Sequence, residues 1–189
     1  MGATAPALPV INITADVTNA NVSSTITWTV SITGLTASQF LQAYDLNLIA
    51  SCDEHSTATS FTDALTPIVN PTPGTPTGAS IFGVSGGQST ILNPLGTLFG
   101  DVALGSFTTH WEGRGTLSYS LEDGGILSAP VIRIRTGSDF GPVAYEGLPT
   151  VNSDEVLVLG GTDCIPAPHT AALLALGAIP FTRRRRKLT

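Results

Sequence analysis

Between residues 25 and 32 the chain alternates without interruption. Ile26, Trp28, Val30 and Ile32 fall on one parity, and Thr25, Thr27, Thr29 and Ser31 on the other. Successive side chains of a strand point to opposite faces, so this stretch buries one face and offers the other to water. β-branched residues on both parities reinforce the preference.

The same period recurs along the chain. Ile11, Ile13, Ala15 and Val17 alternate with Asn12, Thr14, Asp16 and Thr18, and residues 19–23 read as a turn. Residues 36–39 read as a helical turn leading into 40–50, where Tyr44, Leu46, Leu48 and Ala50 share a face opposite Asp45 and Asn47. Residues 101–111 form a strand with Gly105 as a bulge. A turn at 112–115 returns the chain through 116–121, predicting a hairpin, with Leu117, Tyr119 and Leu121 on one face. Residues 129–136 place Ile132 and Ile134 inward and Arg133 and Arg135 outward. Residues 140–145 are a short strand broken by Pro142, and 154–159 are the last strand.

The intervening stretches lack the pattern. Residues 51–60 read as a polar loop, and 65–80, with Pro67, Pro71, Pro73 and Pro76, as an irregular excursion too rich in proline for a central strand. Residues 83–87 read as flexible. No stretch of helical period separates the strands, so a βαβ arrangement is excluded. Eight or nine short strands with Gly, Pro, Asp and Asn turns predict an all-β, two-sheet antiparallel sandwich or a jelly roll. The expected organisation is an unstructured segment 1–9, a sandwich domain 10–161 and a tail 162–189. Residues 1–9 have neither the basic start nor the apolar core of an export signal, although Ala3-Thr4-Ala5 has the spacing of a cleavage site.

Charge divides the chain. Five of its eight basic residues are Arg183, Arg184, Arg185, Arg186 and Lys187, which leaves Arg114, Arg133 and Arg135 against 14 acids and a body charge of −11. Such a body repels phosphate backbones and excludes nucleic acid as a partner.

Catalytic signals are weak, and the chain is expected not to be an enzyme. The stretch Gly83-Val84-Ser85-Gly86 is read as lacking the second glycine of a Gly-x-Ser-x-Gly nucleophile elbow. Glu122-Asp123 and Asp154-Glu155 sit in turns, where Asp bonds backbone amides. Cys52-Asp53-Glu54-His55 holds metal-binding residue types without a ligand spacing, and the ordinary reading is a solvated loop. No metal or cofactor is expected. His110 beside Trp111 offers a ring pair that would favour a sugar if it formed an exposed patch. The Thr25-x-Thr27-x-Thr29 row is ordinary outward threonine. Cys52 and Cys164 match no zinc or redox motif, and two readings stay open: a disulfide in an exported protein, or two unpaired thiols.

The C-terminal residues run in a defined order. Pro166-Ala167-Pro168 precedes a short apolar segment containing Ala171, Leu173, Leu174, Leu176, Ile179 and Phe181, and the Arg183–Lys187 run follows at once. Residues 170–182 would span about 20 Å as a helix against a hydrocarbon core of about 30 Å, short for a permanent anchor. A basic stop after an apolar run follows the positive-inside pattern.

This order resembles the PEP-CTERM sorting tail of exported proteins of Gram-negative-type bacteria, with Ala167 where that family usually has Glu and Pro180 interrupting the helix. The resemblance implies a short C-terminal hydrophobic helix, export, transient membrane anchoring and cleavage near the Pro motif by exosortase, a membrane protease. It implies a cell-envelope or extracellular location. In the body, Ile26-Thr27-Trp28-Thr29-Val30, Ala43-Tyr44-Asp45-Leu46 and Ser153-Asp154-Glu155-Val156 resemble cohesin-like sandwich domains, which bind proteins or carbohydrate. The expected function is that of a non-enzymatic surface or matrix protein contacting polysaccharide or surface proteins. A cohesin-like protein- or carbohydrate-binding module is the alternative, and a secreted hydrolase a remoter one.

Overall fold

The computed structural model describes residues 8–52, 56–65, 68–123 and 132–163. These form sixteen strands and no α-helix. In order they are β1 (Val10–Ala15), β2 (Asn19–Asn21), β3 (Ser24–Thr33), β4 (Gln39–Ala50), β5 (Ser56–Ala58), β6 (Thr62–Asp63), β7 (Thr72–Thr77) and β8 (Ser80–Gly86). There follow β9 (Val102–Trp111), β10 (Gly113–Leu117), β11 (Tyr119–Asp123), β12 (Ile132–Thr136), β13 (Val143–Gly147), β14 (Thr150–Ser153), β15 (Val156–Leu159) and β16 (Thr162–Asp163).

One six-stranded sheet runs β14-β1-β3-β9-β5, with β5 and β6 end to end along β9. The facing sheet runs β13-β12-β4-β8-β7, with β11 and β12 end to end along β4. A four-stranded sheet, β16-β10-β15-β2, is made of short strands, of which β10 follows β9 and β2 precedes β3 in the chain. The two large sheets form a sandwich.

The period-two reading holds where it was cleanest. Ile26, Trp28, Val30 and Ile32 are buried on β3, as are Ile11 and Ile13 on β1 and Tyr44, Leu46, Leu48 and Ala50 on β4. Ile132 and Ile134 are buried on β12 while Arg133 and Arg135 face outward. Gly105 sits at a bulge: Val30 faces Gly105 and Ser31 faces Ala103, which leaves Leu104 extra on β9. A Cβ at Gly105 would lie 2.3 Å from the Thr62 carbonyl oxygen, so the close approach of β6 requires glycine.

Trp28 joins the two sheets. Its ring meets Tyr119 of β11 edge-on at 4.9 Å and lies parallel to Phe107 of β9 at 6.4 Å, and Phe107 meets Tyr119 at 5.0 Å. The indole Nε1 donates to Thr109 Oγ1 (3.0 Å), and Tyr119 Oη donates to the Ala79 carbonyl (2.9 Å). Each buried ring thus has its polar end satisfied. A second inter-sheet bond runs from Tyr44 Oη on β4 to Asp63 Oδ1 on β6. Burial raises the Tyr44 phenol pKa, and the bond to Asp63 and its charge add to the rise. Burial also raises the Asp63 carboxyl, although the Tyr44 bond pulls it down.

Several expectations are corrected. The sandwich is mixed rather than purely antiparallel, because β1–β14, β10–β16 and β15–β2 are parallel. These partners are distant in sequence, so no hairpin turn sets their direction. The hairpin of 101–111 with 116–121 does not form. Both edges of β9 are taken by β3 and by β5–β6, and the returning chain splits at Ser118 into β10, paired with β15, and β11, paired with β4. The supposed turn at 112–115 is largely strand. β5 lies within the expected loop 51–60, and β7 and β8 form a hairpin where 65–80 read as irregular and 83–87 as flexible. Pro73 and Pro76 lie on β7, an edge strand, where a missing N–H is tolerated. Residues 36–39 form a turn closed by Gln39 N–H on the Thr36 carbonyl (2.9 Å), not a helical turn. Val17 lies beyond β1 and is exposed. The strand expected at 154–159 begins at Val156 and is followed by β16, and the one expected at 140–145 begins at Val143, just after Pro142.

Thr109→Val keeps the shape but leaves the Trp28 indole N–H without its acceptor. The expected loss is about 1–3 kcal/mol, read as a lower urea midpoint. Because the folded Asp63 pKa lies above its unfolded value, its contribution is complete below the ordinary carboxylate pKa and is lost as pH rises through the folded value. Asp63→Asn therefore removes that pH dependence without lowering stability at neutral pH. Asp63→Ala strands the Tyr44 hydroxyl and costs about 1–3 kcal/mol. Urea unfolding at acid and neutral pH separates the two.

Candidate functional site

The site begins with a pair of glycines at the end of β8. A Cβ at Gly86 would lie 2.5 Å from Ile68 Cδ1, and one at Gly87 would lie 2.0 Å from the Gln42 carbonyl oxygen. Only glycine lets the chain pass this close over β4, where Gln88 N–H bonds the Gln42 carbonyl (3.2 Å) and Val69 N–H bonds the Gly87 carbonyl (2.8 Å). Gln42 itself is bulged out of β4: Ala43 faces Arg133 and Leu41 faces Ile134, so Gln42 has no cross-strand partner on β12. Bulges re-aim side chains in this way.

The loop that follows β8 is folded on itself. Buried Gln88 accepts the Leu98 N–H on Oε1 (2.6 Å) and donates Nε2 to the Leu98 carbonyl (3.4 Å). Ser89 Oγ accepts the N–H groups of Ile91 (3.3 Å) and Leu92 (3.1 Å). Thr97 Oγ1 donates to the carbonyls of Ser89 (3.2 Å) and Asn93 (3.0 Å).

Asp139, in the turn between β12 and β13, clamps this loop to the sheet. Its Oδ2 accepts from Ser89 Oγ (2.7 Å) and Ile91 N–H (3.0 Å), and its own N–H donates to Thr90 Oγ1 (3.0 Å). Its Oδ1 receives a long bond from Gln42 Nε2 (3.4 Å). Arg135 donates Nε to Gln42 Oε1 (2.6 Å) and Nη1 to the Gly141 carbonyl (2.7 Å). Partial burial pushes the Asp139 carboxyl upward, but the bonds from Ser89, Ile91, Gln42 and Thr90 outweigh it and hold its pKa below the ordinary value.

With its polar groups turned inward, this assembly presents apolar side chains to solvent. Leu95 is 100 % exposed, Phe140 87 %, Leu92 72 % and Ile91 57 %. Single exposed leucines are unremarkable, whereas several on one hydrogen-bonded assembly form a ledge of the kind that marks docking surfaces. Beside the ledge lies a cavity of about 500 Å³, with Gln42, Asn70, Ser85, Leu92, Arg133 and Asp139 in its wall. Arg133 is held by Glu146 through two bonds of 3.1 and 3.2 Å. Asn70 has φ of +50°, an uncommon backbone state for a non-glycine residue.

Among the described residues, the other sequence candidates do not assemble into chemistry. Gly83-Val84-Ser85-Gly86-Gly87 does carry the letters of a Gly-x-Ser-x-Gly pattern, contrary to the reading above, but Ser85 is buried within β8 and pairs with Asp45 and Thr72. A nucleophile elbow needs an exposed serine between a strand and a helix. Ser23 Oγ lies 3.2 and 3.3 Å from the Glu112 carboxylate oxygens, and His110 Nε2 lies 2.8 Å from Oε1. Here the carboxylate stands between serine and imidazole, so the histidine cannot take the serine proton. Trp111 is buried, so the exposed aromatic patch with His110 that would favour a sugar is not there. Cys52 is buried and is not a free thiol.

Asp53, Glu54 and His55 lie outside the described residues. So do Cys164, His169, Pro166-Ala167-Pro168, the apolar segment with its expected helix, and the Arg183–Lys187 run. The ledge itself was missed from sequence. Its visible signal is Ile91, Leu92 and Leu95 in a stretch otherwise punctuated by Gly, Asn and Pro, where loop residues are ordinarily polar.

No protein-family model and no curated protein matches the sequence. Solved structures do match. The third cohesin of ScaC from Acetivibrio cellulolyticus, solved in complex with the ScaB dockerin in a type I interaction, has a TM-score of 0.51 at 9 % identity over 81 % of this chain and 100 % of that one. The second type II cohesin module of the cellulosomal adaptor ScaA scaffoldin of the same organism has a TM-score of 0.51 at 12 % identity over 85 % and 98 %. The OlpA cohesin–dockerin complex from Clostridium thermocellum gives 0.51 at 12 % identity over 79 % and 99 %. At these identities the likeness is one of fold, and the described body is a cohesin-like β-sandwich.

Proposed function

We propose that this chain is a non-enzymatic protein-binding module that docks through the ledge of Ile91, Leu92, Leu95 and Phe140. The observation that carries the reading is the ledge itself: four large apolar side chains are exposed on an assembly that the bonds of Ser89 and Asp139 hold together. The fold supports it, since two of the similar cohesin structures were solved with a dockerin protein bound. The same fold supports a non-catalytic role. The tail order at residues 166–187 supports a further part of the proposal: export to the cell envelope or beyond, transient membrane anchoring, and processing by an exosortase-type protease. Pairing of Cys52 with Cys164 belongs to this exported reading.

Leu92→Ser and Phe140→Ser together should lower capture of partner proteins from an envelope extract at least about tenfold, with the urea midpoint unchanged. Equal capture by the variant would refute the ledge. Because the Asp139 pKa is lowered, its bonds are complete above the ordinary carboxylate pKa and are lost as pH falls through the folded value. Capture should therefore hold steady between about pH 8 and pH 5 and fail only in stronger acid. Intact-mass analysis of protein expressed with a native export signal tests the tail. Surface protein that still carries Arg183–Lys187 would sink the processing step.

A further inference from the structure

The cavity beside the ledge has a composition that selects what can enter it. Its lining combines the Gly86–Gly87 backbone, the aliphatic Val69 and Leu92, and amide, hydroxyl and charged side chains. Of the two charged side chains in its wall, Arg133 already has both carboxylate oxygens of Glu146. Asp139 is different. Its Oδ2 accepts from Ser89 and Ile91, while the Gln42 bond to Oδ1 is long, at 3.4 Å, and leaves that oxygen the better placed to accept another donor. Arg135, the other nearby cation, is turned to Gln42 and the Gly141 carbonyl and is not part of the wall. Uncommitted polar groups at Asn70 and Ser85 add acceptors, and an aliphatic wall stands next to them.

We propose that this cavity receives an arginine side chain of the docking partner, with its methylene stem along Val69 and Leu92 and its guanidinium toward Asp139 Oδ1. Arginine suits the site because it combines an apolar stem with a planar fork of donors that matches carboxylate oxygens. The partner's flanking apolar residues then cover the ledge, and the body charge of −11 favours approach of a basic partner at long range, while at the site itself Arg133 is already paired with Glu146. An anchor residue in a pocket, ringed by apolar contacts, is how docking surfaces concentrate affinity. The inference rests on the protein-docking reading and names the chemistry of the partner at that site.

The probes are three capped tripeptides, acetyl-Leu-Arg-Leu-amide and its citrulline and glutamate counterparts, titrated into the full chain and followed by backbone amide NMR. The arginine peptide should shift the amides of Ser89, Ile91 and Asp139 saturably, and raised salt should weaken it. The citrulline peptide, which keeps the shape and loses the charge, should bind at least about fivefold more weakly, and the glutamate peptide should leave those amides unmoved. Equal binding of the arginine and citrulline peptides overturns the proposal. So do arginine shifts centred on the acids at the far end of the sandwich, Asp16, Glu112 and Asp154. Asp139→Asn should abolish the preference for arginine over citrulline. Should that variant loosen the loop, Asn70→Ala with Asp139 intact should still weaken the arginine peptide. Arginine-peptide failure alongside loss of capture by the Leu92→Ser, Phe140→Ser variant defeats the anchor alone. Unchanged capture by that variant defeats the docking reading.

Discussion

Contact between Trp28, Phe107 and Tyr119 holds the two sheets in one relative position. Trp28 and Phe107 lie on neighbouring strands of one sheet, and Tyr119 comes from the other. Two sheets could slide over each other with little change in buried apolar area. Two edge-to-face contacts on Tyr119 and one parallel contact between Trp28 and Phe107, with the Trp28 indole and the Tyr119 hydroxyl each hydrogen-bonded, favour one register. The Tyr44–Asp63 bond marks a second point on the same interface. With the sheets so placed, the ends of β4, β8 and β12 come together, and the ledge is built there.

The ledge depends on backbone proximity before it depends on side-chain chemistry. Gly86 and Gly87 bring the chain down onto β4, and the bulge at Gln42 turns an amide out to meet it. Asp139 then binds a serine hydroxyl and a backbone amide fifty residues away in sequence. Each bond contributes little by itself, but the shared carboxylate makes them mutually dependent, and the loop is pre-ordered for contact. These bonds from Gln88, Ser89, Thr97 and Asp139 hold the loop in place while its four apolar side chains stay exposed.

Parity along a strand reports which face a residue occupies and says nothing of its neighbour. That distinction accounts for most of what was legible and most of what was not. Ile26 to Ile32, Tyr44 to Ala50, and Ile132 with Ile134 were placed inward correctly because burial follows a local period. Gly105 was legible as a bulge because glycine inside a strand has few other uses. The hairpin of β9 with the following strand was misread, since nothing in the sequence of 112–121 says that the edges of β9 are already occupied. Prolines hid β7, whose edge position is a property of the whole sheet. His110 and Trp111, adjacent in sequence, were considered as a pair, yet opposite parity sends one to solvent and the other into the core.

Sequence alone determined that this chain is an all-β sandwich with a strongly acidic body and a basic end, because alternation and charge are local quantities that need no partner. It also carried the short pieces that resemble cohesin-like domains, and the solved structures of that fold bear the architecture out. Tertiary structure alone decided the parallel pairings, the placing of Glu112 between Ser23 and His110, and the assembly of the ledge. Each of these requires groups such as Ser89 and Asp139, or Ser23 and Glu112, to meet across the fold. Such meetings are set by the packing of the sheets around Trp28, which no local pattern encodes.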